Sequence, residues 1–133
     1  PYIEAMLGCF KLRAVPININ YRYVEEELQY LFDNSGARAI IYNSVFAPQV
    51  AAVREGLPKV ELLIQVADDS GNELLAGAVD YEEVLASAPA LPDSVEPSPD
   101  DLYVLYTGGT TGMPKGVLWR SYSRPIQSIG PPG

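Results

Sequence analysis

The sequence predicts an α/β fold in which a parallel sheet is flanked by helices. Segments whose apolar residues have helical spacing alternate with short apolar runs of the kind that form buried strands. Such alternation is typical of a parallel sheet, because helices provide the crossovers between parallel strands. The chain has 133 residues, 47% of them hydrophobic, which is enough for a real core. The order of the strands is left open by the sequence.

The first helix is indicated by Ile3, Met6, Leu7 and Phe10, which lie at i, i+3, i+4 and i+7 on one helical face. The short apolar run AVPINI at 14–19 follows as a strand candidate. Its proline suits the start of a strand or a sheet edge.

The second helix has apolar residues at helical spacing from Val24 to Phe32. Its first turn carries the three glutamates 25–27, which the helix dipole favours. Gly36 is a helix stop signal. The run RAIIY at 38–42 then predicts a buried strand.

The third helix is predicted to begin at Ser44, whose side chain can cap it. Its apolar face extends from Phe46 to Leu57, and Pro48 fits its first turns. The run VELLIQV at 60–66 predicts the next strand.

The last elements lie on either side of a proline-rich stretch. DYEEVLASA at 80–88 predicts a short helix capped by Asp80. DLYVLYT at 101–107 reads as a strand, and KGVLWR at 115–120 reads as a second strand.

We therefore divide the chain into four parts. Residues 1–88 form an α/β segment, 89–100 a proline-rich connector, 101–120 a strand, a glycine-rich loop and a strand, and 121–133 an irregular tail. The connector has four prolines within residues 89–99, which favours extended backbone over core packing.

Composition excludes several classes of function. The formal net charge is −8, so a basic face for nucleic acid or anionic lipid is not expected. No apolar run reaches the ~20 residues of a membrane span, and the start PYIEAMLGCF lacks the basic lead of a signal peptide and reads as the middle of a helix. The single cysteine, Cys9, excludes an internal disulfide and fits a reducing compartment, so we predict a cytoplasmic protein. Without histidine, the chain alone builds no histidine-based metal site or triad.

The segment YTGGTTGMPKGV at 106–117 has the composition of an anion-binding loop. Its glycines let the backbone turn tightly and present N–H groups, which together form a concave site for anions. Its threonines add hydroxyl donors, and its lysine adds a point charge. The candidate phosphate-binding residues are Thr107, Gly108, Gly109, Thr110, Thr111, Gly112 and Lys115.

Two other interpretations of this loop are a phosphate loop that leads into a helix and an ordinary hairpin turn. The pattern G-x-x-x-x-G-K-[ST] fails, because Met113 and Pro114 follow Gly112. Pro114 and the β-type run GVLW disfavour an immediate helix, so the loop is predicted to connect strand to strand. An ordinary glycine-rich hairpin turn stays open, although a turn needs neither a Thr-Thr pair nor a trailing Pro-Lys.

YTGGTTGMPKGV resembles the signature loop of the adenylate-forming superfamily, whose usual form is Y-T-S-G-T-T-G-x-P-K-G-V. The chain departs from this form at Gly108, where serine is most common. KLRAVPININYRY at 11–23 is similar to the upstream strand and turn of the superfamily, and the ending GVLWR is most similar to its fatty-acyl-CoA synthetase branch. The resemblance covers roughly residues 1–120 and implies a partial N-terminal domain of an adenylate-forming enzyme.

The resemblance implies an ATP-dependent acyl-CoA synthetase, an acid–thiol ligase. A carboxylate attacks the α-phosphate of ATP to give acyl-AMP and pyrophosphate, and CoA then takes the acyl group. The seven loop residues would wrap the β- and γ-phosphates, with Lys115 adding charge. ATP, Mg²⁺ and CoA are the implied cofactors, and a fatty acid is the implied carboxylate.

The family's later adenine, metal and catalytic-lysine motifs have no counterpart in this sequence, which shows no Mg²⁺ ligand set and no catalytic residue of its own. We therefore expect the segment to be inactive alone. Two functions of other classes stay open: a self-sufficient nucleotide- or anion-binding module, and a non-catalytic α/β interaction domain. The missing motifs favour the enzyme segment over the module. The acyl substrate and the oligomeric state are not indicated.

The sequence also gives expectations for an acidic pair and for three tyrosines. Asp100 and Asp101 are expected to be a solvated strand cap rather than a metal pair. Tyr21, Tyr23 and Tyr30 are expected to be packing residues rather than stacking platforms.

Arg13 stands between the first helix and first strand, where the resembling family commonly has glycine. Glycine there would close the helix in the left-handed conformation, which costs other residues roughly 1–2 kcal/mol. We expect Arg13 to avoid this strain with a negative φ, because nothing nearby in the sequence suggests a compensating function.

Overall fold

The computed structural model describes residues 1–89, 98–107 and 113–120. Within these ranges the predicted helices and strands are present, and a two-residue strand at Val79–Asp80 was not predicted. The elements are α1 (Tyr2–Lys11), β1 (Ile17–Asn18), α2 (Glu25–Ser35), β2 (Ala39–Asn43), α3 (Ala47–Val53), β3 (Leu62–Val66), β4 (Val79–Asp80), α4 (Tyr81–Ser87), β5 (Leu102–Thr107) and β6 (Lys115–Arg120).

The described strands form two three-stranded sheets. One has the order β2-β3-β4 with every neighbour parallel, and we call it the parallel sheet. The other has the order β1-β5-β6, with β1 parallel and β6 antiparallel to β5, and we call it the hairpin sheet. The predicted α/β class with parallel strands and flanking helices is confirmed.

One hydrophobic core joins both sheets to α2 and α3. Leu31 on α2 is fully buried, and Val50 on α3 is nearly so. They belong to the same buried cluster as Leu63 of the parallel sheet and Val104 of the hairpin sheet. Burial of such side chains typically contributes ~1.5–3 kcal/mol each, so α2 and α3 hold the two sheets together.

Two predicted helix boundaries are confirmed. Gly36 ends α2 in the left-handed region, with φ of 66° and its N–H bonded to the carbonyl of Asp33 at 3.1 Å. Asp80 caps α4, because its Oδ1 accepts from the backbone N–H of Glu83 at 3.0 Å. Both residues satisfy polar groups that a helix end leaves unbonded.

The predicted cap at Ser44 is wrong. Its side chain makes no helix-cap hydrogen bond. A 3₁₀ turn (Ser44–Phe46) precedes α3, and the Ser44 hydroxyl donates to the carbonyl of Val66 at 3.1 Å. The hydroxyl serves the neighbouring strand because Ser44 is buried directly after β2, beside the end of β3.

The expectation for Arg13 is also wrong, since its φ is +55°. The missing compensation lies far away in sequence: Arg13 Nε donates to Asp101 Oδ1 at 2.8 Å. The α1 end is closed by backbone bonds, among them Ala14 N–H to the carbonyl of Cys9 at 2.8 Å. A charge-assisted hydrogen bond therefore opposes the backbone strain.

Asp101 corrects half of the expectation for the acidic pair. It is only 8% exposed, and its Oδ2 accepts from the Ser98 backbone N–H at 2.9 Å. The pKa of Asp101 is held below its usual value mainly by this hydrogen bond from Ser98 and, to a lesser extent, by the hydrogen bond from Arg13. Asp100 is the solvated member, exposed and paired with Arg120 at 3.0 Å.

The predicted apolar face of α1 is exposed. No residue of this helix is buried, and Ile3 and Leu7 are 62% and 55% exposed. In the part of the chain that the structure describes, no helix combines the length and the hydrophobicity needed to cross a membrane.

Candidate phosphate-binding site

The predicted loop leaves the hairpin sheet at the edge where ligands bind in open α/β folds. β1 and β5 run parallel, with Ile17 opposite Val104 and Asn18 opposite Leu105. Their carboxyl ends therefore lie at one edge, and crevices at such edges are the usual ligand sites of open α/β sheets. β5 ends there at Thr107.

Thr107 and Lys115 are placed directly opposite one another. They form the terminal pair of the antiparallel β5–β6 ladder, and both are exposed. Opposite residues in such a ladder lie on the same face with Cβ atoms ~4.5–5.5 Å apart. A hydroxyl and an ammonium group thus flank the base of the loop on one face of the sheet.

The predicted path of the loop from strand to strand is confirmed by these flanks, since β5 precedes it and β6 follows it. The other predicted site residues lie outside the described residues, and their role stays a prediction. They are Gly108, Gly109, Thr110, Thr111 and Gly112.

Sequence reasoning did not single out Tyr106, a buried residue next to the end of β5. It is 6% exposed, and its hydroxyl donates to Asn34 Oδ1 on α2 at 3.0 Å. Burial raises the pKa of this hydroxyl, so it stays protonated as a donor. Only the three-dimensional structure connects residues 72 positions apart, so no local signal in the sequence identifies this contact.

The tyrosines after β1 divide in their roles. Tyr23 is 9% exposed and packs in the core, as expected, and its hydroxyl donates to the carbonyl of Tyr106 at 3.4 Å. The packing role expected for Tyr21 is wrong: it is 67% exposed, with the Arg22 guanidinium 5.4 Å from the centre of its ring. Tyr30 lies between these extremes at 37% exposure.

A divalent cation is not accommodated by the residues described. Within 1–89, 98–107 and 113–120, no three acidic, histidine or cysteine side chains group as a metal site would require. Asp100 and Asp101 lie before the amino end of β5, at the opposite end of the strand from Thr107. Both aspartates are paired with an arginine. The described residues can donate to phosphate oxygens, but they do not form a Mg²⁺ ligand set, so we assign no step to that ion.

The carboxyl edge of the parallel sheet is closed by its own chain. Gln65, 2% exposed, accepts at Oε1 from the Tyr42 hydroxyl at 2.9 Å and from the Leu75 N–H at 3.1 Å. Its Nε2 donates to Ser44 Oγ at 2.9 Å and to the Glu73 carbonyl at 3.0 Å. The hydrogen-bonding capacity of this amide is fully used, whereas Thr107 and Lys115 at the carboxyl edge of the hairpin sheet are exposed.

An α/β fold with a glycine- and threonine-rich sequence after a strand's carboxyl end, followed by a lysine, is an arrangement typical of nucleotide-binding proteins. The sequence profile of the AMP-binding enzymes matches residues 1–123. The chain belongs to the AMP-binding enzyme family.

Two relatives of this chain are named as CoA ligases. The medium-chain acyl-CoA ligase Mig of Mycobacterium avium is 58% identical over 129 residues, which are 97% of this chain and 24% of that protein. The 3-oxocholest-4-en-26-oate–CoA ligase of Rhodococcus rhodochrous is 48% identical over 119 residues, covering 89% of this chain and 21% of that protein. The chain thus spans less than a quarter of the length of these relatives.

Solved structures agree on the fold. A Mycobacterium tuberculosis fatty acyl CoA synthetase superimposes with a TM-score of 0.70 at 29% identity, covering 90% of this chain and 22% of that one. An anthranilate CoA ligase in complex with anthranoyl-AMP gives a TM-score of 0.80 at 24% identity, with the same coverage. Both are ligases of which this chain resembles about a fifth.

Proposed function

We propose that this chain is a segment of an ATP-dependent acyl-CoA synthetase and supplies the loop that binds the ATP phosphates. The observation that carries the proposal is the pairing of Thr107 with Lys115 at the carboxyl edge of the hairpin sheet. Membership of the AMP-binding family supports it, as do relatives named as CoA ligases. The intact enzyme would form acyl-AMP and pyrophosphate, and then acyl-CoA.

The proposed chemical role of the loop follows from where charge develops. When a carboxylate attacks the α-phosphorus, the bond to the β-phosphate breaks and negative charge grows on the leaving pyrophosphate. Donors fixed around that group stabilise the transition state more than the ground state. Thr107 offers one hydroxyl donor and Lys115 three ammonium donors, and Thr110, Thr111 and the loop amides would complete the set.

The proposed substrates are ATP, CoA and a fatty acid of medium or long chain. The chain length is inferred from relatives named as medium-chain and as medium/long-chain ligases. A sterol-type carboxylate is a further candidate, because the Rhodococcus relative is named for one. Mg²⁺ would accompany ATP and be bound by residues outside those described. We also propose a cytoplasmic location, in keeping with the single cysteine.

Carboxylate-dependent exchange of pyrophosphate into ATP tests the proposal directly. We expect exchange by the full-length protein with medium- or long-chain fatty acids, and none by residues 1–133 alone. Carboxylate-dependent exchange by the isolated segment would instead show that it is catalytically complete, and would contradict the proposal that it is only part of the enzyme. A full-length protein that gives no exchange with any carboxylate would contradict the enzyme assignment.

A double variant of the full-length protein tests the loop. Thr110→Ala with Lys115→Ala removes a hydroxyl and an ammonium group, and loss of a single oxyanion-type donor commonly lowers kcat by about 10²–10³. We expect a decrease of at least about 100-fold in the exchange rate. Lys59→Ala is the matched control, since Lys59 is also exposed but lies in the turn before β3. Unchanged ATP kinetics in the double variant would reject the phosphate role.

A further inference from the structure

Tyr106 touches three separate parts of the fold just where the loop begins. Its hydroxyl donates to Asn34 Oδ1 on α2 at 3.0 Å, and its carbonyl accepts from the Tyr23 hydroxyl at 3.4 Å. Its ring packs on Gly116 of β6, where an added Cβ would lie 3.2 Å from the ring's Cζ atom. Tyr106 therefore joins α2, β6 and the turn after β1.

The position of Tyr106 in the ladder relates these contacts to the site. Tyr106 pairs with Gly116, and the next pair along the same ladder is Thr107 with Lys115. Successive side chains on a strand point to opposite faces, so the Tyr106 ring enters the core while Thr107 faces outward. Fixing the rotation of β5 at Tyr106 thereby fixes the direction in which Thr107 and Lys115 project.

The hydroxyl of Tyr106 is not needed for apolar packing. A phenylalanine would fill the same volume, whereas a buried hydroxyl must find a partner or destabilise the fold. The partner here belongs to α2, which is anchored in the core through Leu31 and Phe32. The hydroxyl thus ties the strand that leads into the loop to a helix that is anchored in the core.

We propose that Tyr106 is a positioning residue for ATP, which acts by holding Thr107 and Lys115 in the geometry that the phosphates require. The proposal rests on the proposed function. Tyr106 would touch no substrate itself and would act through the paired residues at the base of the loop. Gly116 takes part because its missing Cβ leaves room for the ring.

The experiment compares two single-hydroxyl deletions in the full-length protein. Tyr106→Phe is expected to lower kcat/KM for ATP in pyrophosphate exchange by about threefold to tenfold, the range of one neutral hydrogen bond, and to leave KM for the fatty acid unchanged. Tyr42→Phe is the matched control: Tyr42 is 7% exposed and its hydroxyl also has a side-chain partner, but in the parallel sheet. Its ATP kinetics should equal those of the wild type.

Variants of the partner on α2 add a rescue test. Asn34→Leu removes the acceptor and should reproduce the loss seen in Tyr106→Phe. Asn34→Asp keeps an acceptor oxygen at an exposed position and should retain wild-type ATP kinetics. Equal effects of Tyr106→Phe and Tyr42→Phe on ATP kinetics would overturn the positioning role while leaving exchange by the wild type, and hence the proposed function, intact.

Amide hydrogen exchange tests the positioning role of Tyr106 without relying on enzymatic activity. Tyr106→Phe should speed exchange in 104–107 and 115–118 and leave β2 and β3 as in the wild type. Uniform acceleration across both sheets, or none, would show that the hydroxyl is merely structural or dispensable, and would overturn the proposal. This readout stands even if the wild type shows no pyrophosphate exchange, which would contradict only the proposed function.

Discussion

At the carboxyl edge of the parallel sheet, polar groups bond one another, whereas at the carboxyl edge of the hairpin sheet Thr107 and Lys115 are exposed to solvent. Gln65 accounts for most of this difference, since its amide joins β2 and β3 to the covering segment through Leu75 and Glu73. Asn72 adds a bond from its Nδ2 to the Ser44 carbonyl at 3.0 Å.

Parallel strands alone therefore do not make a ligand site. Both sheets present the carboxyl ends of parallel strands, where ligands generally bind in such folds. A chain segment already occupies the edge of the parallel sheet and satisfies its donors and acceptors. At the hairpin sheet, the residues on either side of the glycine-rich sequence, Thr107 and Lys115, are exposed, so we expect the two edges to respond differently to substitution.

Gln65→Leu should produce the largest effect on stability. It leaves the buried hydroxyl of Tyr42 and the N–H of Leu75 without their acceptor. Each unsatisfied donor costs about 1–3 kcal/mol, so the free energy of opening of β2 and β3 should fall by about 2–6 kcal/mol. Native-state hydrogen exchange of the full-length protein measures this quantity strand by strand.

Tyr42→Phe serves as the control for Gln65→Leu. Tyr42→Phe removes one donor and leaves Gln65 bonded to Leu75, so it should cost only about 1 kcal/mol. Neither variant should change KM for ATP, because neither residue belongs to the hairpin sheet. An altered KM for ATP in Gln65→Leu, with folding intact, would mean that the parallel sheet also contributes to the nucleotide site.

Asp80→Ala should have a smaller effect, confined to the start of α4. Asp80 lies at the end of β4 and caps the helix through the Glu83 N–H. Loss of such a cap typically costs ~1 kcal/mol, which should appear as faster amide exchange in Tyr81–Ser87. Asp80→Asn keeps an acceptor oxygen and should behave as the wild type. Equal exchange in the alanine and asparagine variants would show that the cap does not stabilise α4.

Local signals predicted the elements well. Gly36 and Asp80 mark helix ends because a left-handed glycine and a carboxylate acceptor act on their immediate neighbours in the chain. The alternation of helical and strand periodicity likewise gave the α/β class. The loop motif lies between two strands as predicted, because Pro114 and the β-type run after it disfavour a helix.

Errors arose where the deciding partner is distant in sequence. Ser44 fails as a cap because the carbonyl of Val66, 22 residues later, takes its hydroxyl. Arg13 adopts a positive φ because its partner Asp101 is 88 residues away. The role of Tyr106 depends on Asn34 in the same manner. Such contacts are created by the assembly of the sheets, and no spacing rule within one segment encodes them.

Arg13→Gly tests how the amino end of β5, opposite the carboxyl edge of the hairpin sheet, is held by the contact between Arg13 and Asp101. Glycine relieves a left-handed strain of roughly 1–2 kcal/mol, but it also loses the hydrogen bond to Asp101 and raises unfolded-state entropy by ~0.4–1 kcal/mol. The net change in the free energy of opening of β5 should therefore be close to zero, the smallest effect predicted here. A near-zero change is informative only if its components are separated.

Repeating the substitution in an Asp101→Ala background separates them, because the hydrogen bond is then absent from both proteins compared. Arg13→Gly should now stabilise β5 by up to about 1.6 kcal/mol, which is the strain relieved less the entropy term. Arg38 provides the matched control. It also pairs with an acidic residue, Glu61 at 2.6 Å, but its φ is not positive, since Arg13 is the one non-glycine residue at positive φ among those described. In a Glu61→Ala background, Arg38→Gly should destabilise by ~0.4–1 kcal/mol. If both glycine substitutions destabilise alike, the backbone at Arg13 carries no strain, and the bond to Asp101 holds the amino end of β5 without opposition.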